Sequence, residues 1–159
     1  MEESEKATEE RENQMVQERK QRKQWMQQQL GVTDEDFQTL ISAPGTRKWF
    51  ENAAAIRKYK IVAEVVESKY CSARLKPGQK YVLRAAPPML LPEESDCPLC
   101  IKALAPIAPL IMGFWDRILE GVDPNQGMWQ MAECLDPGIG RGGVGHVVFR
   151  VYAQEGASG

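Results

Sequence analysis

The hydrophobic period of the chain changes at Tyr59, and that switch limits the folds open to it more than any other feature. Before it, apolar residues recur three to four positions apart: Phe37, Leu40 and Ile41, then Trp49, Phe50, Ala53 and Ile56. After it, Ile61, Ala63 and Val65 alternate with Lys60, Val62 and Glu64 in a run rich in β-branched residues, the pattern of a half-buried strand. Helices therefore come first and a sheet follows. With 159 residues the chain can bury one real core and has little room for two.

The expected architecture is α+β: a small antiparallel sheet of about four strands, one long broken apolar helix against it, and an N-terminal helical hairpin with an arm. Residues 1–30 read as a charged helical arm, with Glu2, Glu3, Glu5, Glu9, Glu10 and Glu12 early and Arg19, Lys20, Arg22 and Lys23 later, the order a helix dipole favours. This arm lacks the apolar residues for a core of its own. Its Met26/Leu30 face is expected either to stay solvated or to dock on another subunit, giving a homo-oligomer or a protein complex through the N-terminal helices. The basic cluster reads as a solvated run and not as a nucleic-acid patch.

Residues 31–58 read as a helical hairpin. Gly31 closes the arm, Thr33 caps a helix over 34–42 whose first turn is acidic, Ala43-Pro44-Gly45 breaks it, and Thr46 caps the next. Residues 59–154 carry the sheet, with strands at 59–67, 80–84, 127–134 and 146–152, and residues 155–159 are an expected disordered tail. Lys76-Pro77-Gly78-Gln79 has turn chemistry between the first two strands. The proline-rich stretch 85–94 is an extended linker over one face of the sheet. The apolar helix starts at Cys97 with Asp96 as N-cap and breaks near Pro106 and Pro109, each of which costs a helical hydrogen bond.

Chemistry concentrates at the four cysteines. Cys97 and Cys100 are two residues apart, a spacing that lets both sulfurs reach one tetrahedral ion at about 2.3 Å. Cys71 follows the first strand and Cys134 ends the third, so a compact fold could bring all four together as ligands of zinc or an iron–sulfur cluster. A redox pair at a helix N-terminus and four inert buried thiols are the other readings. His146, the single histidine, reads as a strand-end residue sooner than as a ligand or general base. Gly138, Gly140 and Gly143 match a dinucleotide motif by letter, but a strand follows where a helix is required. With Arg141 that loop could instead accept an anion or admit a partner closely. Asp136 reads as a turn residue, not a catalytic acid.

Composition excludes more than it names. A net charge of -2 argues against general nucleic-acid binding. No stretch approaches the ~18 apolar residues of a membrane span, and the first residues have no signal-peptide pattern, so a cytoplasmic protein without membrane association is expected. In that reducing setting cysteines serve metals or redox more often than disulfides.

Cys71 with Gly78 seven residues on, Cys97-Pro98 opening an apolar helix that ends near Gly113, and Cys134-Leu135-Asp136-Pro137 before the last strand resemble a family of small uncharacterised prokaryotic proteins with three separated cysteine positions. The resemblance runs over about residues 59–153 and also takes in longer members with a helical N-terminal part. It implies the fold and no activity. Arg74-Leu75 stands where that family commonly has Gly-His, and Cys100 lies outside its pattern. The function expected from these residues is a cysteine-ligated accessory or electron-transfer component beside a larger enzyme, without catalysis of its own. A structural interaction module and a thiol–disulfide redox protein are the alternatives.

Overall fold

The structure, a computed structural model, describes residues 2–156, and of these the side chains of 2–5, 11 and 12 are left aside. The chain divides into two compact units between Ala53 and Ala54.

The first unit holds α1 (Glu2–Leu30), α2 (Asp34–Ser42) and most of α3 (Pro44–Ile56). α1 ends as expected at Gly31, whose N–H returns to the Gln27 carbonyl at 3.2 Å. Thr33 caps α2 in a reciprocal box: its hydroxyl accepts from the Asp36 N–H, and the Asp36 carboxylate accepts from the Thr33 N–H. Thr46 does not cap α3. Pro44 already occupies the first helical position, where its missing N–H costs nothing, and the Thr46 hydroxyl donates back to the Leu40 and Ala43 carbonyls.

Met26 corrects the expected docking face of the arm. It is buried in this unit's own small core with Phe37 and Phe50, whose rings meet edge to face at 5.1 Å, so only Leu30 of the expected pair is exposed. The basic run has partners here too. Lys23 pairs with Asp34 at 2.6 Å and lies over the Phe37 ring, Arg22 lies over Phe50, and Arg19 approaches Glu51 at 3.9 Å.

The second unit is built on a five-stranded antiparallel sheet of β1 (Tyr59–Lys69), β2 (Lys80–Arg84), β3 (Met89–Leu90), β4 (Met131–Glu133) and β5 (His146–Glu155), in the order β3-β2-β1-β5-β4. Pairing sets Ile61 beside Leu83 and Ala153, Ala63 beside Tyr81 and Val151, and Val65 beside Phe149. All eight are buried, so the alternation read from sequence is the inward face of the sheet. A bulge between Val65 and Glu67 bends β1 before it reaches the Cys71 loop.

Sheet details depart from expectation where other groups claim the backbone. A fifth strand, β3, lies inside the proline-rich stretch, which therefore runs along the open edge of β2 and not over a face. Beyond it, Leu91 donates to Val82 and the Ser95 hydroxyl accepts from the Val82 N–H, so prolines and side chains close an edge that would otherwise stay unpaired. β4 is shorter than the expected 127–134, and Met128 and Trp129 before it are exposed. β5 runs to Glu155, within the expected tail, where it pairs with Tyr59; residues 157–159 lie outside the described residues.

The apolar helix is two helices, α4 (Ile101–Leu104) and α5 (Ala108–Leu119), separated at the expected prolines. Pro109 sits in the first turn of α5, so one of the two breakers opens a helix. Ile107, Ile111, Phe114 and Ile118 are buried, and the Trp115 indole donates to the Ala85 carbonyl just past β2 at 2.7 Å.

Candidate functional site

Cys97-Pro98-Leu99-Cys100 is not the start of a helix. Asp96, expected to cap it, is spent on the sheet: its N–H donates to the Lys80 carbonyl and its carboxylate accepts from the Lys80 N–H. The chain bends at Cys97 and forms no helix until after Cys100, which is extended and is itself the residue before α4. The two thiols thus stand on a loop held by the β2 edge.

Tyr81 fixes that loop. From the inward face of β2 its hydroxyl donates to the Pro98 carbonyl at 2.6 Å. Burial first, then the neighbouring Cys97, Cys100 and Cys71 thiols, push the phenol well above its ordinary range, so it remains a neutral donor. A phenol on an inward strand position must find such a partner, and this is the signal in the sequence that could have singled Tyr81 out.

Cys71 lies in the β1–β2 connection, where its carbonyl accepts from the Arg74 N–H at 3.0 Å. Cys134 directly follows β4, its N–H bonded to the Val147 carbonyl at 2.9 Å. Asp136 organises the glycine loop after it. One carboxylate oxygen accepts from the Gly138 and Val144 N–H groups at 3.1 and 2.8 Å, which holds its pKa below the ordinary value. A Cβ on Gly143 would sit 2.1 Å from that oxygen, and one on Gly145 would press on the Tyr70 carbonyl at 3.0 Å, so both glycines are required by close approach. The turn role read for Asp136 fits this geometry. The glycine loop leads into β5, as the rejection of a dinucleotide motif requires.

These elements meet at one pocket. Cys71, Cys100 and Cys134 line it together with Lys102, Asp136 and His146, around a space of about 20 Å³. Cys97 is not among its walls; with Cys100 and Cys71 it is one of the thiols near enough to act electrostatically on the Tyr81 phenol. All four are free and partly buried. His146 is the first residue of β5, 4.0 Å from the Glu67 carboxylate. Among the described residues no three Cys, His, Asp or Glu side chains are arranged to hold a metal ion as the chain stands. The donor set itself fits a thiolate-seeking metal, and the sulfurs would have to draw inward to reach one.

Cys97 weighs against a redox pair. Burial, with the Asp96 charge second, pushes its thiol up to about 12, whereas exchange chemistry uses thiols lowered at helix N-termini or beside cations. Next in sequence to the lining residues Cys100 and Cys134, Leu99, Ile101 and Leu135 are 71%, 80% and 61% exposed. Among the described residues no helix is long and apolar enough to cross a membrane.

Comparison with known proteins finds nothing similar: no family model, no curated protein and no solved structure matches the chain.

Proposed function

We propose that this chain is a cysteine-ligated metal-binding protein that serves as an accessory or electron-transfer component beside a larger enzyme, with Cys71, Cys97, Cys100 and Cys134 as ligands. One observation carries the reading: thiols from three segments far apart in sequence, at residues 71, 97–100 and 134, are gathered around one pocket and one buried phenol. Chance burial of inert cysteines gives no reason for residues 71, 100 and 134, from three separate segments, to line the same pocket. Bound metal would supply a cross-link between these segments and, if redox-active, a place for an electron; the chain's own part is to bring Cys71, Cys100 and Cys134 to one pocket, with Cys97 on the same loop as Cys100.

Anaerobic purification followed by metal analysis tests this. Cys97→Ser and Cys134→Ser should each lose the metal, and full stoichiometry retained in both would remove the site. A second reading, an interaction module, is favoured by the exposed Leu99, Ile101 and Leu135 and by Met15, Val16, Trp25 and Leu30 on α1. Deleting residues 1–30 is a poor test of contacts through α1, because it removes Met26 from the core of its unit. Trp25→Glu with Leu30→Glu should lower the mass in light scattering; an unchanged mass argues against assembly through this helix.

A further inference from the structure

We infer that the pocket takes one tetrahedral divalent ion of the zinc class, ligated by Cys71, Cys100 and Cys134 with Cys97 closing the set, and not an iron–sulfur cluster. This rests on the cysteine-ligated reading above and narrows what it binds.

Space favours the single ion. The gap of about 20 Å³ exceeds only slightly the 10–15 Å³ that a single water occupies by the same measure. One ion needs the sulfurs to close on it, to about 2.3 Å each. A cluster brings inorganic sulfide as well as iron and needs the walls to part.

Those walls are tied from outside in a way that resists parting. The Tyr81 hydroxyl holds the Pro98 carbonyl, two residues before Cys100, and the N–H groups of Cys134 and Leu135 are bonded to the Val147 and Lys102 carbonyls. On the last side, Gly145 already lies so near Tyr70 and Cys71 that a Cβ would touch the Cys71 Cα at 3.3 Å. When the ion enters, four metal–sulfur bonds form, the thiol protons pass to water and no electron changes hands. Lys102, paired with Asp136 at 3.5 Å, lies on the same wall and offsets the negative charge that four thiolates leave on a divalent ion.

The test uses the full chain, purified without oxygen and stripped of metal, in two arms. The first is titration with cobalt(II) alone, followed by displacement with zinc. The second is incubation with ferrous iron and sulfide, followed by iron and acid-labile sulfide analysis. One cobalt per chain with the visible spectrum of a tetrahedral thiolate site, bleached by one equivalent of zinc, together with no retained sulfide, is the expected result. Several irons retained with matching sulfide would overturn the single-ion inference and leave the cysteine-ligated reading standing. Failure to bind cobalt, zinc or iron in either arm would overturn both.

Discussion

The two units solve the problem of stability differently. The helical unit has three buried large side chains, Met26, Phe37 and Phe50, and surrounds them with charge: Lys23–Asp34, Arg19–Glu51, and two cations over its aromatic rings. The sheet unit buries Ile61, Val65, Tyr81, Phe149 and Val151 almost completely, and its polar bonds mostly tether loops. Only the second offers a rigid base from which loops can aim sulfur at one point. Its core residues also reach the site's loop, since Phe149 packs on Tyr81 at 5.9 Å and Tyr81 holds the Pro98 carbonyl. The helical unit should therefore answer to acid and salt, and the sheet unit to cavities.

The largest contrast should come from matched cavity variants. Phe149→Ala should cost about 3–5 kcal/mol in denaturant unfolding and abolish metal uptake, because the support of Tyr81 goes with it. Phe50→Ala should loosen the helical unit and leave metal stoichiometry unchanged; loss of metal in that variant would break the distinction between the units. Next in size, Tyr81→Phe leaves the Pro98 carbonyl without its partner, a loss of about 1–3 kcal/mol. Competition with a chelator should show metal affinity lowered roughly tenfold or more, and an unaltered affinity would mean that the loop holds itself.

Smaller effects belong to the helical unit. Thr33→Ala removes one half of the capping box and should cost about 1 kcal/mol, visible as lost helicity with no change in bound metal. Acid should act in the same place. Asp34, held chiefly by Lys23, and Asp36, held by Thr33, both have pKa values lowered from 3.8. Each contributes fully above that value and loses its contribution as pH falls through the lowered folded value. Helicity should fall in that window in the parent chain and show a flatter profile in an Asp34→Asn, Asp36→Asn double variant.

What could be read from the residues followed from local chemistry. Asp34–Ser42 was legible because capping, acidic first turn and apolar spacing all agree, and β1, β2 and β5 because their inward faces alternate without interruption. β3 was not: two residues among prolines carry no period, and only pairing with Leu83 and Arg84 makes them a strand. Asp96 misled for a physical reason, since an Asp before Cys-Pro looks like a cap until the β2 edge takes its bonds. Met26 looked like a docking residue because its partners, Phe37 and Phe50, belong to helices that only tertiary packing returns to it. At the thiols, spacing exposed the Cys97/Cys100 pair and strand ends pointed to Cys71 and Cys134. The distribution within the pocket was not legible: Cys100, outside the resembled pattern, lines it, and Cys97 stands behind.

The central claim is that four thiols from separate segments act as one ligand set, and thiol protection tests it most directly. The full chain, reduced and stripped of metal, is alkylated with and without one equivalent of zinc, and each cysteine is followed by mass spectrometry. We expect Cys71, Cys97, Cys100 and Cys134 to be protected together, by one ion. Alkylation of all four at the same rates with zinc as without it would contradict the claim.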